Sequence, residues 1–239
     1  MSLFNEDDIN YFIKNIWTND FINNTGGMGS PDLFSLWIIL KKYKPKIVIE
    51  SGVWNGISTK LIRKVLPNSV IICLDPRNIP NNGYKDDNKN TIYYLGNKFI
   101  DFKNLNLNKF NKNDILCFFD CHQNQYLRLK QCVEKKITKI FFNDNYPLNC
   151  GSHFTIEHLM NNDNRYYKID NNNKNKILDL IETYHIFPNI YPGLIKTGEG
   201  YFKCKSYFTN DNDNNNDKFI ILKKERNKYR WNTFIILKL

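Results

Sequence analysis

The 239-residue chain contains no alanine, and it is sparing with glycine (11), proline (8) and methionine (3). Asparagine instead fills about one position in six, and lysine, isoleucine, tyrosine and phenylalanine are heavily used, a biased composition. Alanine has GC-rich codons and the favoured residues have AT-rich ones, so base composition accounts for much of the lysine excess. The net charge of +10 is spread along the chain without an arginine-rich block, so a charge-driven nucleic-acid partner is not expected. No run of about 18 apolar residues occurs, which leaves no candidate for a membrane-spanning helix. The six cysteines form no CxxC pair. Cys73 and Cys117 sit inside apolar, strand-like runs, so reduced thiols and a cytoplasmic location are expected rather than a disulfide framework. The opening residues are acidic, with no basic stretch before an apolar one, unlike a secretory signal. What remains, 41% hydrophobic residues including 15% aromatics, is ample for a sizeable core.

The pattern along the chain predicts one domain over 1–239: an N-terminal helical extension over 1–44 and an α/β core over 45–239. Ile9, Phe12, Ile13, Ile16 and Trp17 recur at the spacing of one helix face. After the glycine-bearing loop Thr25–Gly29, Ser30 as N-cap and Pro31 at the first helical position open a second helix, with Leu33, Phe34, Trp37 and Leu40 on one side. Short apolar strands then alternate with helices: Ile47–Ile49, Val70–Leu74, Ile92–Leu95, Ile115–Phe119 and Ile140–Phe142. Continuous apolar strands of this kind belong to a parallel sheet covered on both faces. The Asn-rich stretches 161–175 and 210–217 read as solvated loops, and Pro188–Tyr201 as a lid or recognition loop. Near the end, Phe219–Leu222 and Phe234–Leu237 flank a charged connection, which predicts a C-terminal antiparallel β-hairpin. The expected fold is a doubly wound, mostly parallel sandwich.

In such sheets ligands bind beyond the carboxyl ends of the strands, near the switch point. The first strand ends in Glu50-Ser51-Gly52-Val53-Trp54-Asn55-Gly56-Ile57-Ser58, where two glycines four apart permit a tight turn and a close backbone approach before a helix N-terminus. The second ends in Asp75, placed to accept hydrogen bonds from ribose hydroxyls, or else an ordinary strand-end carboxylate. The fourth and fifth end in Asp120-Cys121-His122 and Asn143-Asp144-Asn145-Tyr146. Asp120, Asp144 and Asn145 are hard oxygen donors suited to Mg²⁺, Mn²⁺ or Ca²⁺. The alternative is that Asp120 caps the next helix and Asp144-Asn145 form an Asx turn before Pro147. His122 can reach the same mouth, and His153 and Tyr146 could line it on the acceptor side.

Taken together, Glu50-Ser51-Gly52 through Gly56-Ile57-Ser58, Asp75, Phe119-Asp120-Cys121-His122 and Asp144-Asn145 resemble the signature of class I S-adenosylmethionine-dependent methyltransferases. More narrowly they are similar to the metal-dependent O-methyltransferases of catechols and sugars, over about residues 46–147. The resemblance implies a seven-stranded sheet whose last strand is reversed. It also implies S-adenosylmethionine held by Glu50, Gly52, Gly56, Ser58, Asp75 and Asp120, and Mg²⁺ (or Mn²⁺) held by Asp120, Asp144 and Asn145. The catechol branch has a catalytic Lys three residues after its first metal Asp, where this chain has Gln123. Sugar enzymes place an Asp or His base shortly after that Asp, and His122 fits that arrangement. The implied activity is metal-assisted O-methylation of a small-molecule acceptor, with a sugar hydroxyl foremost. A small phenol, and a non-catalytic nucleic-acid-binding protein, are the alternatives, and a homo-oligomer stays open.

Overall fold

The computed structural model describes residues 3–22, 27–162, 168–197, 200–209 and 219–239. Thr25, Gly26, residues 163–167 of the first Asn-rich stretch, residues 198–199 of the segment 188–201 and the Asn-rich stretch 210–217 lie outside the described residues. The chain runs α1 (Glu6–Tyr11), a π-helical turn (Phe12–Ile16), α2 (Asn19–Ile22), α3 (Ser30–Tyr43), β1 (Ile47–Ser51), α4 (Ile57–Val65), β2 (Val70–Asp75) and β3 (Thr91–Leu95). Then follow β4 (Ile115–Phe119), α5 (Gln125–Glu134), β5 (Lys139–Phe142), α6 (Ile156–Met160), α7 (Asn171–Leu178) and β6 (Ile181–Ile186). The chain closes with β7 (Leu194–Thr197), β8 (Gly200–Lys203), α8 (Ile220–Lys223) and β9 (Thr233–Leu237).

Seven strands form one sheet in the order β3-β2-β1-β4-β5-β9-β6, parallel except for β9, which is antiparallel to both its neighbours. The order reverses between β1 and β4, which makes that gap the switch point. Alternate side chains of each apolar strand go to opposite faces. Val48, Ile71, Leu116, Phe118 and Phe141 pack with the N-terminal helices, α3 and α4. Ile49, Ile72, Cys117, Phe119 and Phe142 pack on the other face with α5, α6 and α7. Each such fully buried large side chain contributes about 1.5–3 kcal/mol, which explains why these strands tolerate no polar interruption before their ends.

Three local expectations are corrected. The α3 cap is Gly29 rather than Ser30, whose backbone N–H instead donates to Glu225 Oε2 at 2.7 Å. Phe219–Leu222 does not form the first arm of a hairpin: α8 occupies that stretch, and β9 finds its antiparallel partners in β5 and β6. A four-residue apolar run carries no period, so helix and strand are indistinguishable there. The segment 188–201 is not wholly irregular either, since it contains β7, which pairs antiparallel with β8. Among the described residues, no helix is long and apolar enough to cross a membrane.

Candidate active site

Sheet register brings the floor of the site together. The ladder continues one step past the strands: Gly52 N–H donates to the Leu74 carbonyl (2.9 Å), Asp120 N–H to Ser51 (2.8 Å) and Asn143 N–H to Phe119 (2.9 Å). Gly52, Asp120 and Asn143 therefore sit side by side at the carboxyl edge. Gly52 has φ +95°, and a Cβ there would meet the Asp120 carbonyl oxygen at 2.2 Å, so only glycine lets the β1 loop close against β4. Above this row lies a cleft of about 550 Å³, a usual size for a small-molecule site. Gly52, Trp54 and Arg77 line it from the β1 and β2 ends, Asp120, His122, Asn143, Asp144 and Tyr146 from the β4 and β5 ends (the floor), and Met28, Asp32, Glu225, Lys228 and Arg230 from outside the strand ends (the far wall).

Left-handed backbone concentrates here. Trp54 (φ 47°), His122 (φ 50°) and Asp144 (φ 58°) each follow a strand end. Such conformations cost non-glycine residues about 1–3 kcal/mol and persist where surrounding structure imposes them. They turn His122 and Asp144 toward each other. His122 Nδ1 lies 3.4 Å from Asp144 Oδ2, and Asp120, His122 and Asp144 each present a ligand atom within 4.8 Å of the others. Asp144 is 3% exposed, its Oδ1 accepts the Tyr146 hydroxyl at 2.5 Å, and Arg230 Nε approaches to 4.0 Å. Asn143 Nδ2 donates to Asp120 Oδ1 at 3.2 Å. Burial, and then the facing carboxylates of Asp144 and Asp32, push the Asp120 carboxyl well above its ordinary range. The floor thus disfavours two ionised carboxylates side by side, and a divalent cation or a cationic ligand group would let both ionise.

Several sequence-derived assignments are redistributed. Asn145 does not reach the cluster: its Oδ1 accepts the Glu157 N–H (2.9 Å), and its Nδ2 donates to Thr233 Oγ1 (2.8 Å) and Tyr184 Oη (2.9 Å). The left-handed turn at Asp144 sends the next side chain away, and His122 completes the trio instead. Glu50 and Ser58 are also turned away from the cleft. Glu50 is fully buried and accepts the hydroxyls of Ser58 and, at 2.6 Å, Thr59, so the pair ties β1 to α4. Gly56 (φ +77°) faces the Tyr84 carbonyl, which a Cβ would meet at 2.0 Å, so it serves the packing of the 80–86 loop. Asp75 is 1% exposed, and its oxygens accept the backbone N–H groups of Val53 (2.9 Å), Trp54 (3.0 Å) and Arg77 (2.8 Å). Although burial opposes its charge, hydrogen bonds from Arg77 and from these amides hold its carboxyl below the ordinary value. The Arg77 guanidinium lies 4.4 Å over the exposed Trp54 ring. Asp75 therefore shapes the β1 loop and carries that stack.

His153 lies behind His122 rather than at the mouth, with ring centroids 5.8 Å apart. It is 8% exposed, and burial, then the nearby His122, lower its pKa to about 4, so it is neutral at pH 7. Tyr146 does line the cleft, but its hydroxyl is committed to Asp144. Sequence reasoning missed Asp32, Asn143, Glu225, Lys228 and Arg230. Asp32 carries a readable signal, as the one acid in the apolar helix run Leu33–Leu40 and its first turn.

Glu50 gives a pH test of the β1–α4 clasp. Burial, opposed by the hydrogen bonds from Ser58 and Thr59, raises its pKa from 4.5 to about 7. The folded protein thus holds the proton longer than the unfolded chain. Its contribution is complete below pH 4.5 and is lost as pH rises through about 7, on the order of 3 kcal/mol. Urea unfolding of Glu50→Gln should show a flatter loss of stability over that window than wild type. Parallel curves would refute this assignment.

No protein-family model and no curated protein matches the sequence. Solved structures do. A Klebsiella pneumoniae protein, itself only provisionally described as an O-methyltransferase, is 9% identical, with a TM-score of 0.50 over 98% of this chain and 96% of that one. An O-methyltransferase of Bacillus cereus, in complex with SAH, is 8% identical, with a TM-score of 0.46 over 96% of each chain. At such identities the likeness is one of architecture: the chain has the Rossmann-like methyltransferase fold, with a cleft over its switch point.

Proposed function

We propose that the protein is an S-adenosylmethionine-dependent O-methyltransferase, assisted by a divalent cation, whose acceptor is a sugar hydroxyl. The observation that carries this reading is the convergence of Asp120, His122 and Asp144 within 4.8 Å at the floor of the switch-point cleft, beside Gly52. Asp120 and Asp144 would hold Mg²⁺ or Mn²⁺, since two carboxylates beside an imidazole suit a hard or borderline cation, and their mutual repulsion is relieved by one. The cofactor would lie on the Gly52, Trp54 and Arg77 side, with Asp120 between it and the acceptor. When bound, these groups supply a methyl already activated on a sulfonium, and positive charge beside the ionising hydroxyl.

The chain's own residues do the rest. A sugar hydroxyl is too weak an acid to ionise unaided at neutral pH, so a base is needed. His122 Nδ1 faces the Asp144 carboxylate, which leaves Nε2 to take the acceptor proton. Tyr146 fixes Asp144 from below, and Asn143 fixes Asp120. Trp17, Phe21 and Met28 give the cleft an apolar wall that excludes water from one side. That same wall would suit the ring of a small phenol, which is the second reading.

Calorimetry with SAH and S-adenosylmethionine tests the cofactor assignment, and released SAH across a panel of glycosides, nucleotide-sugars and catechols tests the acceptor. Binding of SAH with no heat from NAD is the expected result. Binding of NAD alone would overturn the reading.

A further inference from the structure

Asp32 stands apart from the residues already assigned. It comes from α3, outside the strand-end loops, yet its carboxyl lines the same cleft as Asp120 and Asp144 and interacts electrostatically with both. It is 1% exposed. Both of its hydrogen bonds fall on one oxygen: Oδ1 accepts the Arg230 backbone N–H at 3.0 Å and Asn232 Nδ2 at 2.6 Å. Oδ2 has no partner among the described residues. Nor is it one of the polar atoms sealed off without a partner, so it meets the open volume of the cleft. Burial raises the pKa of this carboxyl to about 7 against the pull of Arg230 and Asn232, so above that pH one oxygen is an anchor and the other a free acceptor.

We propose that Asp32 is a specificity-determining residue of the acceptor site, its Oδ2 taking a hydrogen bond from a second hydroxyl of the acceptor molecule. This rests on the methyltransferase reading, in which the far wall faces the acceptor. A carboxylate held with one oxygen anchored loses little freedom on binding, so the free oxygen can discriminate. A buried acceptor left unpaired by a ligand lacking the donor is costly, which is the basis of such selection. The donor is a neutral hydroxyl because the acceptor proposed above is a sugar. Lys228 is paired with Glu225 at 2.5 Å and Arg230 faces Asp144 at 4.0 Å, so neither cation competes directly for Oδ2.

The test is saturation-transfer NMR on the full chain, with and without SAH, using methyl α-glucoside, methyl α-mannoside, methyl α-galactoside and methyl α-glucosaminide. Asp32→Asn is nearly isosteric: its remaining oxygen can keep both anchoring bonds, while an NH₂ donor replaces Oδ2. At a pH well above 7, where Asp32 is ionised, at least one neutral glycoside should bind wild type and be weakened roughly 10- to 100-fold in Asp32→Asn, the loss expected for a hydrogen bond to a charged acceptor. SAH affinity should stay the same in both proteins. If Asp32→Asn does not fold, Asp32→Glu, which displaces the same group by one methylene, carries the same expectation. Equal glycoside binding by wild type and variant overturns the proposal, as does binding of none by wild type, or tighter binding of the glucosaminide. Failure of SAH to bind wild type, with glycoside binding still dependent on Asp32, would overturn the methyltransferase reading and leave the Asp32 contact standing.

Discussion

Replacing His122 with Ala is expected to lower kcat by roughly 10²–10⁴-fold, the usual contribution of a general base, while SAH affinity stays near wild type. The expectation follows from where the ring stands. Its Nδ1 is 3.4 Å from Asp144 Oδ2, and the ring borders the cleft from the end of β4. Stability should change little, because the side chain is largely exposed at 57%, although the left-handed backbone at φ 50° suits Ala somewhat less well than His. A loss of activity without a loss of fold is therefore interpretable.

His122 also belongs to the trio that could ligate a cation, so the variant must separate two roles. A base acting through Nε2 leaves Asp120 and Asp144 to hold the metal, and Mn²⁺ binding to His122→Ala, read by electron paramagnetic resonance, should persist. Added imidazole should then restore part of the rate. If Mn²⁺ binding disappears with the ring, His122 is a ligand and the base lies elsewhere. An enzyme as fast as wild type would remove His122 from the chemistry altogether.

The parts of this arrangement that were legible in the sequence are those set by strand periodicity. The apolar runs of β1, β2, β4 and β5 are short and each gives way to a polar residue (Glu50, Asp75, Asp120, Asn143), so the strand ends announce themselves. Gly52, Asp75, Asp120 and Asp144 could be located from that alone. What each does was not legible, because it depends on one backbone angle. A left-handed turn at Asp144 sends Asn145 toward Thr233 and Tyr184 and brings His122 in. Likewise Glu50 and Ser58 lie in the signature segment, but β1 alternation buries Glu50 against Thr59 and Ser58, away from the cleft. The far wall was invisible for a different reason. Asp32 and Arg230 are nearly two hundred residues apart in sequence, and only the return of the chain before β9 brings the Arg230 N–H to Asp32. Non-local pairings of this kind leave no periodic trace.

Removing either floor carboxylate should give the other large effect. Asp144→Asn and Asp120→Asn are each expected to weaken Mn²⁺ binding by about 10²-fold or more, since even supporting residues of metal sites are worth 10–100-fold. The two variants should nevertheless differ in stability. Asp144 is held by the Tyr146 hydroxyl and faces Arg230 and His122, so its replacement removes favourable partners along with the charge. Asp120 has one donor, Asn143 Nδ2, and is opposed by the charges of Asp144 and Asp32. Relieving that repulsion by about 1 kcal/mol should raise the metal-free melting temperature of Asp120→Asn by roughly 2–4 °C. SAH should still bind both variants, because the β1 loop is set by Gly52, Asp75 and the Glu50 clasp rather than by the cation. Turnover in wild type should stop in EDTA and return with Mg²⁺ or Mn²⁺. Full turnover in chelator would sink the metal assignment while leaving the cofactor assignment untouched. A fall in the melting temperature of Asp120→Asn would show that the Asn143 bond outweighs the repulsion, and that the floor needs no cation to be stable.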